Sequence, residues 1–112
     1  MENNNADQAQ SQSTIVCRAL ALTDEAWRAN AAGREFDFRR VEMGFEALLA
    51  SVATMELDPS LERDPVVSNI LRVLSSSNVI ARRYDHRHAF DLLVRAAGPI
   101  TDKAKCLDTA KR

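Results

Sequence analysis

The segment FDFRRVEMGFEALLASVATMELDP, residues 36–59, has the strongest helical pattern in the chain. Its large apolar residues recur at alternating spacings of three and four, which is the periodicity of one face of an α-helix. These residues are Phe38, Val41, Phe45, Leu48, Val52 and Met55. The pattern predicts a helix over residues 36–57, with Asp37 as its cap and Asp58-Pro59 as its stop signal.

This apolar stripe, residues 38–55, allows two interpretations. Most stripes of this kind are the core side of a helix in a single chain. However, a domain of 112 residues buries only a modest core, and symmetric helical dimers use stripes this long and regular. We therefore predict that the stripe forms a dimer interface. Gly44 costs ~1 kcal/mol in a helix interior, and close approach of another backbone would explain it.

A first helix is predicted over residues 14–32, where Val16, Leu20 and Trp27 recur at helical spacing. Gly33 follows it and suits the left-handed conformation that ends many helices. The alternative is that Thr23 caps a shorter helix and that residues 14–22 form a separate strand or arm.

Two later helices have clear boundaries. Asp64-Pro65 begins one over residues 65–75, because aspartate caps a helix and proline suits its first position. The sequence SSSN at 75–78 is expected to weaken or end it. Another helix, over residues 85–97, ends at Gly98-Pro99.

Composition agrees with a single all-α domain of three to four helices, and the stripe at 38–55 adds the expectation that this domain forms a homodimer. Apolar residues make up 46% of the chain and charged residues 28%, while glycine and proline are scarce. Residues 1–13 are predicted to be a disordered polar arm, 14–100 the helical domain, and 101–112 a short helix or polar tail. With no apolar run of ~18 residues and no signal-peptide pattern, we expect a cytoplasmic protein.

No motif in the sequence predicts catalysis or a bound cofactor. Cys17 and Cys106 lie far apart and match no C-x-x-C spacing, so reduced thiols are expected. His86 and His88 are two positions apart, and a helix therefore points them roughly 200° away from each other. We predict neither a metal site nor an active site.

The segment RRYDHRH, residues 82–88, is the densest cationic cluster in the chain. Its three arginines could neutralise phosphates and Tyr84 could stack on a base, which leaves nucleic-acid binding as an alternative. Asp85 and nearby Asp91 would repel phosphate, however. We interpret the segment as a junction in which Asp85 caps the last helix, Tyr84 anchors the turn, and the arginines are solvated or pair with the acidic first half.

With catalysis, metal binding and nucleic-acid binding set aside, the remaining function to consider is binding of a protein partner through apolar side chains. Large aromatic residues dominate many interfaces, and they are scarce in this chain. The residues predicted to bind a partner are Val16, Leu20, Trp27 and Phe36.

A short helical chain, rich in arginine and alanine, with a polar arm and no active-site motif, resembles the QslA-type antiactivators of bacterial quorum sensing. The resemblance implies a helical dimer that binds a LuxR-type transcription factor on its dimerisation surface and keeps it off DNA. It rests on overall size and pattern, so no individual residue is carried over. Phage-encoded inhibitors such as anti-CRISPR proteins look similar at this level and remain an alternative.

Overall fold

Four α-helices form the part of the chain that the computed structural model describes, which is residues 4–98, with side chains from residue 12 onward. The helices are α1 (Asn4–Ala31), α2 (Arg39–Ala53), α3 (Pro65–Arg83) and α4 (His86–Ala97). One short 3-10 helix, Pro59–Leu61, lies between α2 and α3. Residues 4–98 contain no strand, so the predicted all-α class is confirmed. None of the described helices combines the length and apolar character needed to cross a membrane.

Helix α1 begins at Asn4, about ten residues before the predicted start. Residues 4–13, predicted as part of a disordered arm, are helical here, while residues 1–3 and the predicted tail 101–112 lie outside the described residues. Thr23 lies inside α1 and donates its hydroxyl to the Leu20 carbonyl at 3.2 Å, so the alternative that it begins a helix is wrong. Gly33 follows α1 with φ of 69°, as predicted.

The apolar stripe of α2 is buried inside the single chain. Phe45 and Leu48 have no exposed surface, and Phe38, Val41 and Val52 are at most 8% exposed. Met55 is partly buried beyond the end of the helix. Helices α1, α3 and α4 all pack on α2. The stripe is therefore core in this fold, and apart from Met55 it has no free surface for a second copy. Homodimer formation stays a prediction, and it would need other surfaces.

The ends of α2 differ from the predicted ones. Helix α2 begins at Arg39, after the predicted start at residue 36, and its N-cap is Phe38 and not Asp37. The Asp37 carboxylate accepts a hydrogen bond from the Arg39 N–H at 3.0 Å, ahead of the helix. The helix ends at Ala53, before Asp58 is reached. Asp58 instead caps the 3-10 helix, where its carboxylate accepts from the Ser60 N–H. Its own N–H donates to the side-chain oxygen of buried Gln12, which ties this loop to α1.

Helix α3 runs through the serine segment that was predicted to end it. Ser75 and Ser77 donate their hydroxyls to the carbonyls of Leu71 and Val73, four residues earlier, at 2.9 and 2.8 Å. Such bonds satisfy the hydroxyls within a helix. The Asn78 amide donates to the Leu49 carbonyl of α2 at 3.0 Å. Polar residues with these partners do not break the helix, and the prediction of an end near 75 was wrong.

An aromatic cluster lies where α2 meets α4. The Phe45 and Phe90 ring centroids are 5.2 Å apart in an edge-to-face arrangement, and both side chains are fully buried. Phe38 lies 5.3 Å from Phe90, and Phe36 stacks on Phe90 at 5.6 Å. Phe90 of α4 thus contacts all three of the other phenylalanine rings.

Gly44 lies where α1 passes close to α2, although its neighbour is a side chain and not the predicted backbone. A Cβ atom at this position would lie 2.9 Å from Cδ2 of Leu22. The glycine therefore leaves room for Leu22 to pack over α2.

The core position of the α2 stripe predicts unequal effects of two substitutions on the same helix. Phe45→Ala should lower the free energy of unfolding by about 3–5 kcal/mol, since it removes a fully buried ring and leaves a cavity. Met43→Ala should change it by less than about 0.5 kcal/mol, because Met43 is 83% exposed. Urea unfolding followed by circular dichroism measures both values. Similar small losses for the two variants would show that Phe45 is not core.

Candidate partner-binding surface

The segment 82–88 forms the tight junction between α3 and α4. Only Tyr84 and Asp85 separate the two helices, so they form an antiparallel hairpin. Asp85 is the N-cap of α4 and accepts a hydrogen bond from the His88 N–H at 2.6 Å. Gly98, with φ of 65°, ends α4. The predicted junction, its cap and its stop signal are confirmed.

The two histidines of this segment diverge, as their spacing predicted. His86 is partly buried with its ring edge-on to Phe45, at a centroid distance of 6.4 Å. His88 is exposed, and its ring lies 4.7 Å from that of Tyr84. The described residues include no group of three His, Cys, Asp or Glu side chains placed to hold a metal ion. Cys17 is a half-buried free thiol, and Cys106 lies outside the described residues.

The remaining side chains of the segment are more exposed than predicted. Tyr84 does not anchor the turn in the core: it is 62% exposed. Arg87 forms a 3.5 Å ion pair with Asp91 of its own helix, rather than with the acidic first half, and lies 5.8 Å from the Phe38 ring centroid. Arg82 and Arg83 are exposed.

The four residues predicted to bind a partner all make contacts inside the chain. Val16 and Leu20 are core residues with at most 1% exposure, so they have no surface to offer. The Trp27 indole N–H donates to the Val94 carbonyl at 3.3 Å, which ties α1 to the end of α4. Phe36 belongs to the aromatic cluster. Substituting any of them would disturb packing as well as any binding.

One surface depression lies beside the start of α2 and has a volume of about 580 Å³. Its lining combines Phe36 and Phe38 with side chains of both charges, which are Glu35, Asp37, Arg39, Glu42 and Arg87. Three carboxylates and two guanidinium groups select neither an anion nor a cation. We assign no ligand to it.

A second depression, of about 400 Å³, runs between α3 and α4 on the face of the hairpin that is open to solvent; we call it the hairpin groove. Its apolar lining consists of Val73, Ile80, Leu92 and Ala96. Of these, Val73, Ile80 and Ala96 pack against the core, and Leu92 is partly exposed. Its remaining lining residues are Asn69, Arg72, Ser76 and Arg95. The five residues from α3 share one helical face.

The charge of the hairpin groove has a single sign. Arg72 and Arg95 are both exposed, and no carboxylate lines the groove. Within the described part of the chain, neither guanidinium group has a carboxylate partner within ion-pair distance. Both charges are therefore available to an incoming group. The sequence carried a signal for this groove, the helical spacing of Val73 and Ile80, but the predicted end of α3 near 75 concealed it.

Comparison with known protein families, curated proteins and solved structures finds no match to this chain. The geometry of the hairpin groove is therefore the basis for the functional proposal.

The cap at the hairpin junction can be tested with a conservative control. Asp85→Ala should lower the free energy of unfolding by about 1 kcal/mol, because the His88 N–H loses its acceptor. Asp85→Asn keeps a side-chain oxygen at the same position, so its free energy of unfolding should fall much less. Thermal unfolding compares the two variants. Equal losses would show that the carboxylate charge, rather than the cap, holds the junction.

Proposed function

We propose that this chain is a cytoplasmic regulatory protein that inhibits another protein by stoichiometric binding and not by catalysis. The specific partner we propose is a LuxR-type transcription factor of bacterial quorum sensing, as the resemblance to QslA-type antiactivators implies. In that role the chain occupies the dimerisation surface of the receptor and prevents DNA binding.

The hairpin groove is the observation that supports a binding function. It exposes apolar side chains along a depression, and such surfaces serve as binding sites for proteins and ligands. It also lies on two helices whose opposite faces are fixed in the core, since Leu74 of α3 and Leu93 of α4 are fully buried. A surface held in this way loses little conformational freedom on binding, which favours affinity.

Nucleic-acid binding is the competing function, and the exposure of Tyr84, Arg82 and Arg83 at the hairpin turn favours it. Two features of the same turn oppose it. Asp85 lies within the cluster and Asp91 lies close to it, and Arg87 is paired with Asp91. The net charge of the whole chain is −1, whereas proteins dedicated to binding phosphates carry a basic surface.

The proposal predicts the result of a DNA mobility-shift titration with a LuxR-type receptor from the organism that encodes the chain. Added protein should abolish the receptor–DNA complex, with an end point near one chain per receptor subunit. Arg82→Ala/Arg83→Ala should inhibit as well as the wild type, because these residues lie outside the hairpin groove.

A control without receptor separates the two functions. The protein alone should leave the DNA unshifted at every salt concentration. If the protein itself shifts DNA, with an affinity that falls steeply with salt and is lost in Arg82→Ala/Arg83→Ala, then nucleic-acid binding is the correct function. An unaffected receptor–DNA complex would contradict the sequestration of that receptor.

A further inference from the structure

We infer that the hairpin groove binds an amphipathic helix of the partner protein, with apolar residues on the groove floor and carboxylates beside Arg72 and Arg95. This inference rests on the proposed function in one respect, which is that the chain acts by binding a protein. It adds the site and the chemistry of the partner segment.

The length of the groove matches that of a short helix. Its α3 side extends from Asn69 to Ile80, which corresponds to about 16 Å at the rise of an α-helix. An incoming helix of about three turns covers that length. Its apolar residues would recur at positions i, i+3 or i+4, and i+7, the pattern by which amphipathic helices occupy grooves between two helices.

The position of the charges defines the partner further. Arg72 lies next to Val73 on α3, and Arg95 lies next to Ala96 on α4. Because the two helices are antiparallel, the first part of α3 lies beside the last part of α4. Both guanidinium groups therefore lie toward the same end of the groove. Glutamate or aspartate at one end of the incoming helix would face both, and charge complementarity of this kind sets orientation and specificity.

Other occupants fit this chemistry less well. Residues 99–112 of the same chain contain four Lys or Arg and two Asp, so their net charge has the same sign as the groove. A second copy is the stronger competitor, because residues 1–56 contain nine acidic and five basic residues. However, the long apolar stripe of that half, on α2, is buried in the core. An acidic helix from a different protein therefore fits best.

Two synthetic helical peptides of about 18 residues are the probes for this inference. Both have leucine at i, i+4 and i+7, and they differ only in having either glutamate or lysine beside the leucine stripe. Amide NMR spectra of the full chain should show shifts at Val73, Ile80, Leu92 and Ala96 on addition of the glutamate peptide. The lysine peptide should bind about tenfold more weakly.

Charge reversal in the groove supplies the matched variants. The Arg72→Glu/Arg95→Glu variant should bind the glutamate peptide about tenfold more weakly than the wild type does. It should bind the lysine peptide more tightly than the wild type does. Arg34→Glu/Arg63→Glu changes the net charge by the same amount at exposed positions outside the groove, and it should bind both peptides as the wild type does. All four substituted residues are exposed, so folding should be retained.

Several results would overturn the inference. These are equal binding of the two peptides, equal effects of the two double variants, or shifts that map outside the groove. A wild-type dimer by sedimentation that Arg72→Glu/Arg95→Glu converts to monomer would identify a second copy as the occupant instead.

The same variants keep this inference separate from the proposed function. If Arg72→Glu/Arg95→Glu still removes the LuxR-type receptor from DNA as the wild type does, the sequestration function stands and the groove is the wrong site. If the groove binds the glutamate peptide as described but the receptor stays on DNA, the groove is correct and the proposed receptor is wrong.

Discussion

The edge-to-face contact between Phe45 and Phe90 is the packing interaction on which the arrangement of the helices depends. Both rings are fully buried, and Phe36 and Phe38 complete the cluster around Phe90. Because α4 is joined to α3 by two residues, fixing Phe90 against α2 also fixes the hairpin. The outer face of that hairpin carries the groove. The core of the protein thus sets the geometry of its proposed binding surface.

Capping residues and glycines predicted four of the helix boundaries, whereas Asp37 and Asp58-Pro59 did not mark the ends of α2. Asp64, Asp85, Gly33 and Gly98 all act as predicted, because capping carboxylates and left-handed glycines work through bonds within a few residues. The serine segment of α3 misled the prediction for a related reason. Serine favours helix ends when its hydroxyl competes with the backbone, but Ser75 and Ser77 bond to carbonyls of the preceding turn.

Periodicity could not decide what covers an apolar face. The α2 stripe was recognised correctly as one face, but the same pattern serves a core and a dimer interface, and only the tertiary contacts show that it is core. Trp27 and Phe36 were singled out as scarce aromatic residues, and their partners, Val94 and Phe90, lie more than 50 positions away in the chain. The hairpin groove was not predicted, because its lining residues come from the full length of α3 and from α4. Predicting it would have required both the correct end of α3 and the position of α4 beside it.

A single chain buries the α2 stripe, so we expect it to fold by itself and to leave other surfaces for partners. Circular dichroism and sedimentation on dilution from about 100 μM to about 1 μM test it directly, since a fold that depends on association is lost with the partner subunit. We expect an unchanged helical signal per residue at every concentration, including those at which the chain sediments as a monomer. A helical signal that falls together with the mass would contradict it, because the stripe would then be an interface between chains.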